Sequence, residues 1–151
     1  MTLAVVLDTG PLGLLTAPPR RAEARACSDW LADLVAASCR IVIPEIADYE
    51  LRRELLRAGK NASVQRLDAL AQATEYMPIT TAAMPRAAEL WAQARQQGQP
   101  TAADNTIDAD IILAAQAIEL GAANFVIATT NVGHLVRFVP AKQWQDIAPP
   151  P

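Results

Sequence analysis

Short runs of apolar residues without polar alternation constrain the fold of this chain more than any other feature. They occupy residues 3–7, 40–43 and 125–128, and apart from Arg40 they consist of apolar side chains, many of them β-branched. Such runs are typical of strands buried on both faces of a parallel sheet. Two further strands are predicted at residues 76–79 and, as a short fifth strand, at Phe138–Val139.

Helical periodicity fills the segments between these runs. Apolar residues recur at three- and four-residue spacing, and the predicted helices cover residues 21–38, 45–57, 61–74, the segment from Thr80 or Thr81 to Gly98, and 108–120. Gly10 and Pro11 are expected to break the first strand, with a short helical turn at 12–15. The alternation predicts one α/β domain over residues 1–151, with a mostly parallel four- or five-stranded sheet covered on both faces and a frayed end.

Charge and composition exclude several classes of protein. The 13 Lys and Arg against 16 Asp and Glu give a net charge of −3, which argues against a bulk nucleic-acid coat. Cys27 and Cys39 form no zinc pattern and fit a reducing compartment. No apolar run approaches the ~20 residues that span a bilayer, and no secretory start is present. A soluble cytoplasmic protein without membrane contact is expected.

Side chains with oxygen atoms, namely carboxylates, an amide and hydroxyls, recur just past the predicted strand ends. They are Asp8 and Thr9, then Glu45, Asp48 and Glu50, then Asp108 and Asp110, and finally Thr129, Thr130 and Asn131. In open α/β sheets ligands bind outside the carboxyl ends of the strands. Carboxylates that converge there repel one another unless a cation lies between them, and all-oxygen sites select Mg²⁺ or Mn²⁺. Such a site suits activation of water for attack on a phosphodiester.

Four segments in order resemble the successive motifs of a known family. The segments are residues 6–12, 43–53, 110–117 and 128–131, and no Gly-x-Gly phosphate loop competes with them. The chain resembles PIN-domain ribonucleases over nearly its whole length, and among them the VapC-type toxins of bacterial toxin–antitoxin pairs. The resemblance implies a PIN-like α/β/α sandwich.

The resemblance also implies roles for individual residues. Asp8, Glu50 and Asp110 would hold Mg²⁺ (or Mn²⁺), while Asp108 and Asn131 would assist or orient water. Asn131 stands where the family often has an acid, which weakens that side of the site. Thr9 and Thr129 are possible supporting residues. The resemblance further implies an RNA substrate, a homodimer, and an antitoxin whose C-terminal segment inserts into the acidic groove.

Simpler structural roles stand beside these. Asp8 could cap the turn at Gly10-Pro11, Glu50 could pair with Arg53, and Asn131 could form a turn. Asp108 can cap its helix, which leaves Asp110 as the favoured ligand. His134 is expected to be structural or a phosphate contact.

Two basic clusters could contact RNA phosphates or simply form solvated faces. One contains Arg52, Arg53, Arg57 and Lys60, and the other contains Arg20, Arg21 and Arg25. Two other functions remain open. A PIN-like module that has lost catalysis could serve as a binding or regulatory partner, which Asn131 keeps possible. A phosphatase with Asp8 as covalent nucleophile is less well supported, because no suitable second Asp or Lys follows it.

Overall fold

A computed structural model describes residues 2–98 and 108–151 of the chain. Its five strands are β1 (Ala4–Leu7), β2 (Arg40–Pro44), β3 (Glu75–Met77), β4 (Phe125–Thr129) and β5 (Ala141–Gln143). They form one sheet in the order β3-β2-β1-β4-β5, and every pairing between neighbours is parallel. The predicted parallel sheet is therefore confirmed.

The central strands are buried on both faces, as their uninterrupted apolar runs require. Along β1, Val5 and Leu7 point into one core and Val6 into the other. Val6 lies level with Val42 of β2 and Ile127 of β4, so the register carries this alternation across the sheet.

Helices cover both faces of the sheet. They are α1 (Thr9–Thr16), α2 (Ala22–Ala36), α3 (Glu45–Arg57), α4 (Asn61–Ala73), α5 (Ala83–Gln96), α6 (Ala109–Glu119) and the single turn α7 (Val132–Leu135). The first core contains side chains of α1 to α4, including Leu12, Leu34 and Leu67. The second contains side chains of α5 to α7, including Leu113 and Leu135. The result is the expected α/β/α sandwich.

The edge strands differ from the prediction. The third strand covers 75–77 instead of 76–79, and the fifth is Ala141–Gln143 instead of Phe138–Val139. Phe138 and Val139 follow α7 and pack into the second core without pairing. Edge strands have one neighbour, so pairing register decides their limits more than their own hydrophobicity does.

The first helix begins at Thr9, earlier than the predicted turn at 12–15. The Asp8 side chain accepts a hydrogen bond from the Thr9 N–H and caps the helix. Pro11 then falls in the first turn, where an N–H has no partner within the helix, so its missing N–H removes no hydrogen bond. Gly10 and Pro11 are therefore part of α1 and do not separate it from β1.

Strand order reverses between β1 and β4, which places a crevice at their carboxyl ends. Asp8 follows β1, and the segment Thr130–Asn131 follows β4. Within the described ranges, no helix is both long enough and apolar enough to cross a membrane.

Candidate active site

Asp8 lies where the strand order reverses, and it both caps α1 and borders the crevice. Its backbone N–H donates to the carbonyl of Ala128 at 3.0 Å. Its Oδ1 accepts from the Thr9 N–H at 2.7 Å, and its Oδ2 accepts from the Thr129 hydroxyl at 2.8 Å. Burial raises the pKa of Asp8, and these two hydrogen bonds oppose the rise because they favour the charged carboxylate.

Glu50 reaches the same crevice from the middle of α3. The Thr9 hydroxyl donates to Glu50 Oε1 at 3.2 Å, while Arg53 Nη2 lies 4.0 Å from Glu50 Oε2. The pKa of Glu50 is raised mainly by burial, and the negative charges of Asp8 and Asp110 raise it further. Glu50 is therefore within electrostatic reach of both other predicted acids, although Arg53 is also its neighbour.

Asp110 stands in the first turn of α6 and faces α7. His134 Nδ1 lies 3.0 Å from Asp110 Oδ2 and 2.9 Å from the amide nitrogen of Asn131. Because a carboxylate only accepts hydrogen bonds, His134 donates to Asp110 in the tautomer with a proton on Nδ1, and in that tautomer Nδ1 does not also accept a hydrogen bond from the Asn131 amide nitrogen. The Asn131 backbone N–H donates to Thr129 Oγ1 at 2.9 Å, which ties the segment after β4 to Asp8 through one hydroxyl.

Asp108 precedes α6 as its cap. Its Oδ1 accepts from the Ile111 N–H at 3.2 Å, which is the structural role weighed above. Its Oδ2 is buried and has no hydrogen-bond partner among the residues that the structure describes. Burial raises the pKa of Asp108, and the negative charge of Asp110 adds to the rise. One carboxylate oxygen of Asp108 thus remains available beside Asp110.

The close approach of α1 to the segment after β4 depends on a glycine. A Cβ atom added at Gly10 would come within 2.6 Å of Thr130 Oγ1 and 2.7 Å of Thr130 Cγ2. Real Cβ contacts are essentially never that short, so with any other residue at position 10 the exposed Thr130 side chain would have to turn away or the two segments would have to shift. Gly10 therefore allows the Thr130 side chain to pack directly against the start of α1.

The oxygen atoms of the crevice are of the kind that binds a hard divalent cation, but the carboxylates are too far apart to bind one ion together. Asp8, Glu50 and Asp110 offer only carboxylate oxygens, the ligands that Mg²⁺ and Mn²⁺ prefer. In residues 2–98 and 108–151, no group of three or more His, Cys, Asp or Glu side chains is close enough to hold a metal ion as placed. The side chains of Glu50 and Asp110 are 28% and 29% exposed, so neither is fixed by burial as Asp8 is.

The two predicted RNA contacts on α3 differ in their surroundings. Arg52 Nε donates to Asp48 Oδ1 at 2.9 Å, and its Nη2 lies 2.8 Å from Asp68 Oδ1. Its guanidinium is thus engaged by two carboxylates. Arg53 stacks over the Tyr49 ring at 5.2 Å and borders Glu50. Of the two arginines, Arg53 is the one beside the acidic crevice.

His134 is the site residue whose role the sequence did not indicate. It was expected to be structural or a phosphate contact, and its Nδ1 contacts the carboxylate of Asp110. The sequence does indicate its contact with Asn131, because His134 lies three residues after Asn131 and one helical turn brings residues at that spacing together. Which partner His134 would meet on α6 could not be inferred without the fold.

Comparison with a family model gives a match over most of the chain. The model of the PIN domain matches residues 5–133, a range that includes all the acids described above. No curated protein sequence matches the chain.

Solved structures with the same fold have low sequence identity to this chain. A VapBC2 structure from Rickettsia felis, bound to a DNA fragment from its promoter, has a TM-score of 0.70 at 18% identity and covers 93% of this chain and 98% of its own. VapBC-1 from nontypeable Haemophilus influenzae has a TM-score of 0.65 at 16% identity, covering 95% and 99%. DNA-bound VapBC from Salmonella typhimurium has a TM-score of 0.63 at 19% identity, covering 95% and 99%.

Proposed function

This chain belongs to the PIN domain family, and from that premise we propose that it is a metal-dependent endoribonuclease of the toxin type. The observation that carries the proposal is the convergence of Asp8, Glu50 and Asp110 on one crevice. They come from three distant parts of the chain, and the charge of Asp110 raises the pKa of both other carboxyls. Structural carboxylates are normally placed beside cations, so this grouping points to a ligand-binding role.

The three acids would hold Mg²⁺ or Mn²⁺, with Asp8 as the most rigid ligand. When bound, such an ion polarises a phosphodiester and makes water a stronger nucleophile. Asp8 is 8% exposed and is fixed by Thr9 and Thr129. Glu50 and Asp110 are each oriented by one hydrogen bond, from Thr9 and His134 respectively.

Asn131 and Asp108 take supporting roles in this proposal. Asn131 contacts His134 and is tied to Thr129, so its amide is suited to orienting water at the edge of the crevice. Asp108 has one oxygen free of the helix cap and lies two residues from Asp110. Thr9 and Thr129 act through the carboxylates they bind, as positioning residues.

The partners proposed for this chain follow from the family and from its structural neighbours. The neighbours are VapBC assemblies, two of them bound to DNA. We expect RNA as the substrate, a cognate antitoxin that covers the acidic groove, and a homodimer, in the cytoplasm of the cell. A search for a short reading frame beside the gene, followed by co-expression and co-purification of its product with this chain, tests the antitoxin.

The nuclease proposal is tested with purified protein and structured RNA in the presence of Mg²⁺ or Mn²⁺. The wild type should cleave the RNA, and a chelator should stop the cleavage. Asp8→Asn should lower the rate by at least about 100-fold, the upper end of what loss of a group supporting a metal site does. Asp33→Asn, which makes the same change at an exposed position on α2, should cleave like the wild type. Equal rates for wild type and Asp8→Asn would rule out this nuclease.

A second candidate is a PIN-like binding or regulatory module that has lost catalysis. It is favoured by Asn131, a neutral residue where an acid is common, and by the open spacing of the carboxylates. The same assay separates the two functions. A module of this kind should leave the RNA intact with either ion while still binding its partner protein.

A further inference from the structure

A second pocket, of about 550 Å³, lies away from the acidic crevice and is basic. Four cationic side chains line it, namely Arg20, Arg21, Lys60 and Arg66. Its other lining residues are uncharged, and no Asp or Glu of the described part of the chain is among them. The turn after α1 supplies one wall, and the start of α4 supplies the other. The fold thus joins parts of the two basic clusters that are far apart in the sequence.

The cations of this pocket differ from several other arginines of the described residues in having no acidic partner. Arg40, Arg52, Arg57 and Arg86 each form an ion pair with a carboxylate. By contrast, none of the four pocket cations forms an ion pair within residues 2–98 and 108–151. In a chain of net charge −3, four such cations in one concavity concentrate positive potential locally.

Two hydrogen bonds fix the Arg66 guanidinium and leave some of its N–H groups unused. Its Nε donates to the carbonyl of Thr16 at 2.7 Å, and its Nη2 donates to Ser63 Oγ at 3.0 Å. These bonds use two of the five N–H donors of the guanidinium. A planar guanidinium fixed in this way suits bidentate recognition of a phosphate.

The start of α4 adds backbone donors to the same pocket. Lys60 occupies the N-cap position, and no side chain caps the helix. The N–H groups of the first helical turn have no partner within the helix, and they carry the positive end of the helix dipole. The Asn61 N–H donates to the Gly59 carbonyl, so the N–H groups of Ala62 and Ser63 are the ones left to favour an anion at the wall that Lys60 and Arg66 also line.

We infer that this basic pocket binds backbone phosphates of the RNA substrate, away from the phosphodiester that is cleaved. The inference rests on the proposed ribonuclease function and names a contact outside its acidic crevice. Helix α1 runs from Thr9 in the crevice to Thr16 beside the pocket, and the seven steps between them, at about 1.5 Å each, give about 10 Å. At about 3.4 Å per nucleotide of a stacked strand, that distance corresponds to roughly three nucleotides.

Phosphate contacts are distinguished from other roles by the salt dependence of binding. Fluorescence anisotropy would follow a labelled single-stranded RNA binding to the full chain in EDTA, which prevents metal-dependent cleavage, at several salt concentrations. For single strands, each phosphate contact contributes about 0.7 to the slope of log affinity against log salt. Lys60→Ala should lower the slope by about 0.7, and Arg21→Ala/Lys60→Ala by about 1.4. Lys142→Ala, which removes an exposed lysine on β5, should leave the slope unchanged.

The variants should fold normally, since Arg21 makes no side-chain cap of α2 and Lys60 makes none of α4. Equal slopes for the wild type and the double variant would overturn the inference, as would absence of RNA binding by the wild type. It would also be overturned if the double variant lost affinity for polyglutamate but not for RNA, which would indicate an acidic protein partner. A lowered slope without cleavage in Mn²⁺ would support the pocket and contradict the nuclease, and cleavage with equal slopes would do the reverse.

Discussion

The hydroxyl of Thr129 and the backbone N–H of Thr9 are the donors that hold the carboxylate of Asp8, and only the hydroxyl can be removed by substitution of a side chain. It is fully buried and donates to Asp8 Oδ2 at 2.8 Å, so water cannot replace it. Thr129→Val keeps the shape and removes the hydroxyl. A hydrogen bond to a charged group contributes about 1.5–3 kcal/mol, and we expect a loss of about 2 kcal/mol in the free energy of unfolding. At typical slopes for a small protein, the urea midpoint should fall by about 1 M.

The same substitution should change the pH dependence of stability in a defined direction. The Thr129 hydroxyl favours the ionised form of Asp8, so removing it raises the pKa of Asp8 further. The loss of stability should therefore grow as pH rises through the pKa of Asp8, and shrink toward pH 4 as the carboxyl becomes protonated. Urea unfolding at several pH values measures this trend.

A neighbouring residue provides the matched control. Thr130→Val removes the hydroxyl of an exposed threonine one position along, and it should leave stability nearly unchanged. RNA cleavage by Thr129→Val should fall roughly tenfold or more, as expected for groups that orient a metal ligand. Equal urea midpoints for the wild type and Thr129→Val would refute the view that this hydroxyl holds Asp8.

Two further predictions concern charged side chains, one in the crevice and one on α3. Burial raises the pKa of Asp8, so the wild type without divalent ions loses stability as pH rises above 3.8 through that pKa. Asp8→Asn should therefore have a higher melting temperature than the wild type at pH 8 in EDTA. Added Mn²⁺ should raise the melting temperature of the wild type and not that of Asp8→Asn. A lower melting temperature for Asp8→Asn than for the wild type in EDTA would contradict this prediction. Arg52→Ala should lower the free energy of unfolding by about 2–3 kcal/mol, because it leaves the buried carboxylate of Asp48 without its cation. The loss should be smaller than for a fully buried ion pair, because the Arg52 side chain is 31% exposed and Asp48 still accepts a hydrogen bond from the Tyr76 hydroxyl. Arg57→Ala, which breaks an exposed pair, should show no measurable change in urea unfolding.

The central sheet could be predicted because strands that are buried on both faces appear in the sequence as uninterrupted apolar runs. Residues buried on both faces are apolar along nearly the whole strand, and this holds for β1 and for β4 up to Ala128. The strand β5 has only three residues, with polar Lys142 and Gln143 among them, so its own composition does not mark it. Its pairing with β4 places it, and pairing between distant segments is not visible in a single sequence.

The acids of the site could be predicted from their position after strands, but their hydrogen-bond partners could not. Capping and metal binding were both considered for Asp8, and the structure shows that it caps α1 while its other oxygen accepts a hydrogen bond from Thr129. The bond between His134 and Asp110 joins residues of two helices, and it depends on how α6 packs against α7. The basic pocket likewise forms only because α1 ends beside the start of α4. Sequence spacing indicates which residue types are present, whereas packing decides which of them meet.

The central claim is that Glu50 and Asp110 join Asp8 around a divalent ion that supports RNA cleavage. The most direct measurement is the initial rate of RNA cleavage as Mn²⁺ is titrated into the wild type and into Glu50→Gln. We expect a saturable rise for the wild type, and for Glu50→Gln a shift to at least about tenfold higher Mn²⁺ with a lower maximum. A rate that does not depend on Mn²⁺, or the same titration curve for both proteins, would contradict the account.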